Sequence, residues 1–191
     1  MNPSIEQYRL GLFKCSEKIK SDYSNLNFDW AGLMPTFIDE DKYWCTPVNT
    51  KMIGRTGGDG VHYSVLEIDD KINPVVMTIP ANFGNETRDF NIILSESISE
   101  FLGIGSIEGW FPLEQIVYQG DKFIENYGIK ELIEITPESS DGYFVKMLTE
   151  YFSVTNVKLE RSRLMELENI YFDKLEFTDE FIDVKFHHVV S

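Results

Sequence analysis

Ile5, Tyr8, Leu12, Phe13 and Ile19 fall at the spacing of one helical face, with Pro3 suited to the first turn and Ser4 as an alternative cap, so a helix is expected to run to about Lys20. Residues 21–35, rich in Asn, Asp and Ser around Phe28, Trp30 and Leu33, read as a loop that Pro35 ends. From Tyr43 the pattern changes to strand signals: Tyr43, Trp44, Val48, Met52 and Ile53 before a glycine cluster, and Val61, Tyr63, Val65, Leu66 and Ile68 after it. This predicts a β-hairpin turning at Thr56-Gly57-Gly58-Asp59-Gly60, where glycine supplies the positive φ of a tight reversal. Alternation of Val61, Tyr63 and Val65 with His62 and Ser64 predicts a half-buried second strand, its two polar residues on the other face.

Further along, Val75–Ile79 between Pro74 and Pro80 reads as a short strand, and Phe90–Leu94 as another. Ser97 and Glu100 have capping-box spacing, opening a helix with Ile98, Phe101 and Leu102 on its buried stripe, which Gly103 and Gly105 are expected to stop. Helical stretches follow at 112–118, 122–127 and 141–152, and 157–175 suits a helix better than a strand, with 154–159 open to an extended conformation. Ile182, Val184, Phe186 and His188 alternate with Asp183, Lys185 and His187, which predicts a terminal strand. Helices and strands in this order, with no separating linker or internal repeat, give one α+β domain over 1–191.

Composition narrows the class. With 191 residues, 42% of them hydrophobic, the chain has apolar surface enough for a core, and its apolar runs are far shorter than a membrane span. Charged residues through the first twenty positions leave no signal-peptide segment, so the expected location is the cytoplasm, with Cys15 and Cys45 as reduced thiols. The net charge of −15 is spread along the chain rather than gathered in a tail. A field of that sign repels phosphate backbones, which argues against nucleic-acid binding, and favours encounter with basic partners.

Candidate chemistry is sparse. The loop of Thr56, Gly57, Gly58, Asp59 and Gly60, followed by His62, offers backbone N–H groups suited to an anion, but it lacks the lysine and following helix of a phosphate loop and carries Asp59 instead. Trp30, Trp44 and Trp110 are either core residues or the lining of a groove, and Trp110 joins the hairpin residues as a binding candidate. His62, His187 and His188 lack metal-ligand spacing, and no nucleophile elbow or protease cysteine is present. No cofactor is expected.

The amino-terminal helix, Leu33-Met34-Pro35, the hairpin around Gly57-Gly58-Asp59-Gly60, the strand at 74–79, and Ser95 leading to Glu100-Phe101-Leu102 together resemble the SUKH superfamily over about residues 1–102. That superfamily includes bacterial immunity proteins against polymorphic toxins and a domain of fungal cell-wall synthesis regulators. The resemblance implies a mixed, curved sheet flanked by helices, with 103–191 as a helical extension. It implies binding of another protein rather than catalysis, with a basic toxin domain such as a nuclease as the expected partner. The alternative expectation is a small-molecule-binding protein or enzyme with its site on the hairpin from Thr56 to His62.

Overall fold

Ser4 opens helix α1 (Ile5–Asp22) with a reciprocal box: its hydroxyl accepts from the Gln7 N–H at 3.3 Å, while the Gln7 side chain accepts from the Ser4 N–H at 2.8 Å. The computed structural model describes residues 4–24, 30–36, 43–68, 72–82, 84, 86–128 and 140–178. Pro3, expected in the first turn, and the terminal strand over 182–190 therefore lie outside the described residues.

Five strands follow: β1 (Met34–Pro35), β2 (Thr50–Arg55), β3 (His62–Leu66), β4 (Val75–Thr78) and β5 (Asn91–Ser95), the last preceded by a single helical turn, α2 (Thr87–Phe90). Their order in the sheet is their order in the chain, and each neighbouring pair is antiparallel. The α+β class stands, but among the described residues the mixed sheet implied by the family resemblance is corrected to an antiparallel one. Each strand returns beside its predecessor, whereas a parallel neighbour would need a crossover over the sheet. Register shifts put an extra residue in β2 at Ile53, opposite Tyr63 and Ser64, and in β5 at Leu94, opposite Val75 and Val76, which bends those two strands.

Tyr43, Trp44 and Val48 precede β2 instead of belonging to it. The Tyr43 carbonyl accepts from the Thr46 N–H at 2.9 Å, and the Tyr43 N–H donates to the Thr46 hydroxyl at 3.0 Å, which closes a local turn.

Helix α3 (Ile98–Glu108) forms the Ser97 half of the predicted box, the Ser97 hydroxyl accepting from the Glu100 N–H at 3.1 Å, while the Glu100 carboxylate accepts from the Glu96 N–H at 2.7 Å. It does not stop at Gly103 and Gly105, and ends only at Gly109, whose φ is +87°. The two glycines give room for neighbours instead: a Cβ on Gly105 would lie 2.0 Å from the Trp110 ring. A 3₁₀ turn (Phe111–Glu114), α4 (Gln115–Gln119), α5 (Asp121–Asn126), α6 (Ser140–Tyr151) and α7 (Arg161–Tyr171) follow, and a further short turn at Phe172–Lys174 comes after α7.

The sheet is covered on both faces. On one, Ile53, Tyr63, Val65, Val75, Met77 and Leu94 pack with Leu12 and Ile19 of α1, Phe101 of α3, Trp110, and Phe144 and Leu148 of α6. On the other, Leu66, Val76 and Ile93 pack with Leu167 and Tyr171 of α7, and with Phe172 and Leu175. Residues after 103 thus share the main core. Side-chain bonds fasten α7: Arg163 bridges Glu96 and Glu100 at 3.2 and 3.1 Å, the Tyr171 hydroxyl donates to Glu96, and Arg88 pairs with Glu168 at 2.6 Å.

This second layer corrects the expectation of a half-buried β3. All five of its residues are buried, because α7 and the turn at 43–49 cover the face that carries His62, Ser64 and Leu66.

Candidate functional site

The glycine-rich segment closes the β2–β3 hairpin. Arg55 and His62 are the last paired residues, and beyond them the Thr56 N–H donates to the Val61 carbonyl at 3.0 Å. The Val61 N–H donates to the Gly58 carbonyl at 3.0 Å, across Asp59 at φ +47° and Gly60 at φ +73°. Two successive residues with positive φ are the signature of a type I′ turn, whose twist matches the strands it joins, and Asp-Gly is a favoured pair for it. The Thr56 hydroxyl donates to the Gly58 carbonyl at 3.2 Å, fixing the loop from within. Gly60 has a second constraint: a Cβ there would meet the Tyr43 ring at 2.5 Å.

Beside this turn lies a cleft of about 440 Å³, lined by Tyr43, Met52, Arg55, Gly57, Gly58, Asp59, Gly60, Val61 and His62. The structure therefore gathers the predicted residues Gly57, Gly58, Asp59, Gly60 and His62 around one concavity. Thr56 supports the loop from beneath and is buried. Trp110 is not part of it. That residue is fully buried against Phe101 and Phe144, its N–H donating to the Ala31 carbonyl at 2.6 Å and its indole N–H to the Phe101 carbonyl at 3.3 Å. The binding role expected for Trp110 is corrected to a core role, since a large apolar ring is placed most favourably where water is excluded.

His62 is only 1% exposed, and hydrogen bonds hold both ring nitrogens. Nδ1 lies 2.7 Å from the Gly60 carbonyl, which can only accept, so Nδ1 carries the proton. In the neutral ring Nε2 then accepts from the Thr46 hydroxyl at 3.0 Å. Tyr43 stacks on the imidazole, ring centroids 5.7 Å apart. The imidazole thus ties the 43–49 turn to the hairpin.

The same sheet face continues as a buried polar row. His62 pairs across the strands with Thr78, and Thr78 with Asn91. The Thr78 hydroxyl donates to Asn91 Oδ1 at 2.8 Å, and Asn91 Nδ2 donates to the Cys45 carbonyl at 3.0 Å. Ser64 is fully buried in this row, and its hydroxyl has no hydrogen-bond partner among the described residues. Cys15 and Cys45 stand as buried, unbridged thiols, and burial pushes them up to about 11 and about 12, far from thiolate chemistry.

Sequence reasoning missed Tyr43, Met52 and Arg55 as lining residues, and Phe111 and Glu114 at the margin. Phe111 lies against the hairpin, 3.9 Å from where a Gly58 Cβ would stand, and is 47% exposed. Burial, and then the charge of Asp59, push the Glu114 carboxyl above its usual range. No local motif signals these residues, because some fifty positions separate the 3₁₀ turn from the hairpin it meets.

Among the described residues no three His, Cys, Asp or Glu side chains are grouped to hold a metal ion, and no helix is long and apolar enough to cross a membrane. His187 and His188 lie outside the described residues. Comparison with protein-family models, with curated proteins and with solved structures finds no match to the chain.

Proposed function

We propose that this chain is a non-catalytic protein-binding domain, of the kind an immunity protein uses to neutralise a basic toxin such as a nuclease. The observation that carries the reading is the state of His62: the imidazole of the hairpin cleft has both nitrogens engaged inside the fold, so it holds structure instead of offering a lone pair or proton to a substrate. The net charge of −15 supports a basic partner by steering encounter, and the SUKH-like order of elements over residues 1–102 agrees with a binding role.

The test is complex formation with a toxin domain encoded beside this chain, followed by calorimetry at low and high ionic strength. A tight complex that weakens with salt is expected. Failure of purified neighbouring toxins to bind at low ionic strength would reject the reading.

A second reading, a small-molecule site on the hairpin, is favoured by the cleft volume of about 440 Å³, which lies within the usual range for ligand pockets. It predicts that a metabolite screen finds a compound that raises the melting temperature, and that Asp59→Ala or Arg55→Ala removes the rise. His62→Ala is unsuitable for that test, because it would loosen the 43–49 turn.

A further inference from the structure

The face that joins the hairpin to the 3₁₀ turn Phe111–Glu114 combines shape, rigid aromatic area and unbalanced charge. Its shape is the 440 Å³ cleft, with Tyr43, 44% exposed, on its wall and Phe111 beside Gly58 at its margin. The backbone of Phe111 is seated on Gly32, where a Cβ would come within 2.1 Å of the Phe111 nitrogen, so the turn is held in place while its aromatic ring faces water. An exposed ring on a fixed backbone costs little ordering entropy when it is covered.

Glu114 at the end of the 3₁₀ turn is held above its usual range by burial first and by the charge of Asp59 at the hairpin tip second, and Phe111 at the start of the same turn lies 3.9 Å from where a Gly58 Cβ would stand. Neither carboxylate forms an ion pair among the described residues, although Glu96, Glu100, Glu166, Glu168 and Asp173 all have arginine partners. Gln115 gives Glu114 a neutral hydrogen bond, and Arg55 borders the cleft from the end of β2. Two carboxylates beside an exposed aromatic ring fit a guanidinium or ammonium group, which gains charge-assisted hydrogen bonds at its polar edge and a cation–π contact at its face.

We propose that this face is the docking surface for a basic protein partner, with Asp59 and Glu114 receiving an arginine or lysine side chain laid over Phe111. The inference rests on the protein-binding reading and assigns it a surface. The occupant follows from charge complementarity: the whole chain carries −15, and this is where an uncompensated pair of carboxylates adjoins apolar area and a concavity.

The test uses a twelve-residue peptide of alternating arginine and glycine as the probe, titrated by calorimetry at low salt, with amide chemical shifts followed by NMR. The wild-type chain is expected to bind it with shifts centred on Gly57–Gly60 and Phe111. The double variant Asp59→Asn/Glu114→Gln should weaken binding about tenfold, and Phe111→Ala about threefold, as expected for removal of local rather than diffuse interactions. The control double variant Glu125→Gln/Glu176→Gln removes the same net charge from exposed carboxylates elsewhere, and should weaken binding less than about twofold. Thermal melts show whether each variant is folded. Equal losses in the two double variants would overturn this surface while leaving the protein-binding reading intact. No peptide binding to the wild-type chain would overturn the surface outright, and the reading itself is judged separately by the toxin complex.

Discussion

The Tyr63 hydroxyl donates a 2.7 Å hydrogen bond to the main-chain carbonyl of Trp110, tying the centre of the sheet to the turn that follows α3. Both residues are fully buried, so neither group has water as an alternative. Burial holds the Tyr63 phenol well above its ordinary range, so it remains a donor at neutral pH. The Trp110 carbonyl also accepts from the Leu113 N–H at 3.1 Å, so Tyr63→Phe removes one of its two hydrogen bonds without orphaning it, and is expected to cost about 0.5–1.5 kcal/mol in urea denaturation with an unchanged m-value. A loss above about 3 kcal/mol would mean that the Leu113 bond does not satisfy the carbonyl once the hydroxyl is gone.

Ser64 makes the opposite case. Its hydroxyl is buried without a partner among the described residues, so the fold bears its desolvation with no hydrogen bond in return. Ser64→Ala should be neutral or stabilising by up to about 1 kcal/mol. Destabilisation by more than that, read from the same urea curves, would contradict the assignment.

The Tyr171 hydroxyl, and after it Arg163, hold the Glu96 carboxyl below its usual range. A folded-state value below the unfolded one contributes stability above the unfolded pKa and loses it as the pH falls through the folded value. Acid should therefore weaken the seating of α7 below about pH 4.5, the ordinary carboxylate range. Tyr171→Phe removes the largest cause, so its stability should fall less steeply with acid than that of the wild type. Parallel acid limbs in the two proteins would refute this.

Glu114 titrates with the other sign. Burial first, and Asp59 second, raise its folded-state pKa, so its contribution is lost as the pH rises through that value. In Asp59→Asn the Glu114 carboxyl should titrate at lower pH than in the wild type, followed by the side-chain carboxyl carbon in NMR. Burial remains in that variant, so the value should stay above the ordinary one. An unmoved titration would separate the two carboxylates and remove the electrostatic basis of the proposed docking surface.

The α+β class, the helix opened by Ser4 and the Ser97 cap were legible because each rests on neighbours a few residues apart. The hairpin was legible for the same reason, Asp59-Gly60 being a two-residue statement of left-handed backbone. What eluded the sequence was long-range. Gly103 and Gly105 look like helix breakers until Trp110 is packed against Gly105, and β3 looks half-buried until α7, about a hundred residues later, covers its second face. The candidate site divides in the same way. The glycine loop could be read directly, while Phe111 and Glu114 join it only through the fold, and Trp110 has the same composition whether it lines a groove or fills a core.

The agreement between strand order and chain order bears on how the protein is made. Because each strand pairs with the one before it, the sheet can assemble hairpin by hairpin as the chain is synthesised, with little loop entropy lost at each step. Its second covering does not share that locality: Leu66, Val76 and Ile93 wait for Leu167 and Tyr171. A nascent chain halted before Arg161 would carry a paired sheet with one greasy side bare, so the hazard of sticking to other chains is concentrated in the interval before the last helix arrives.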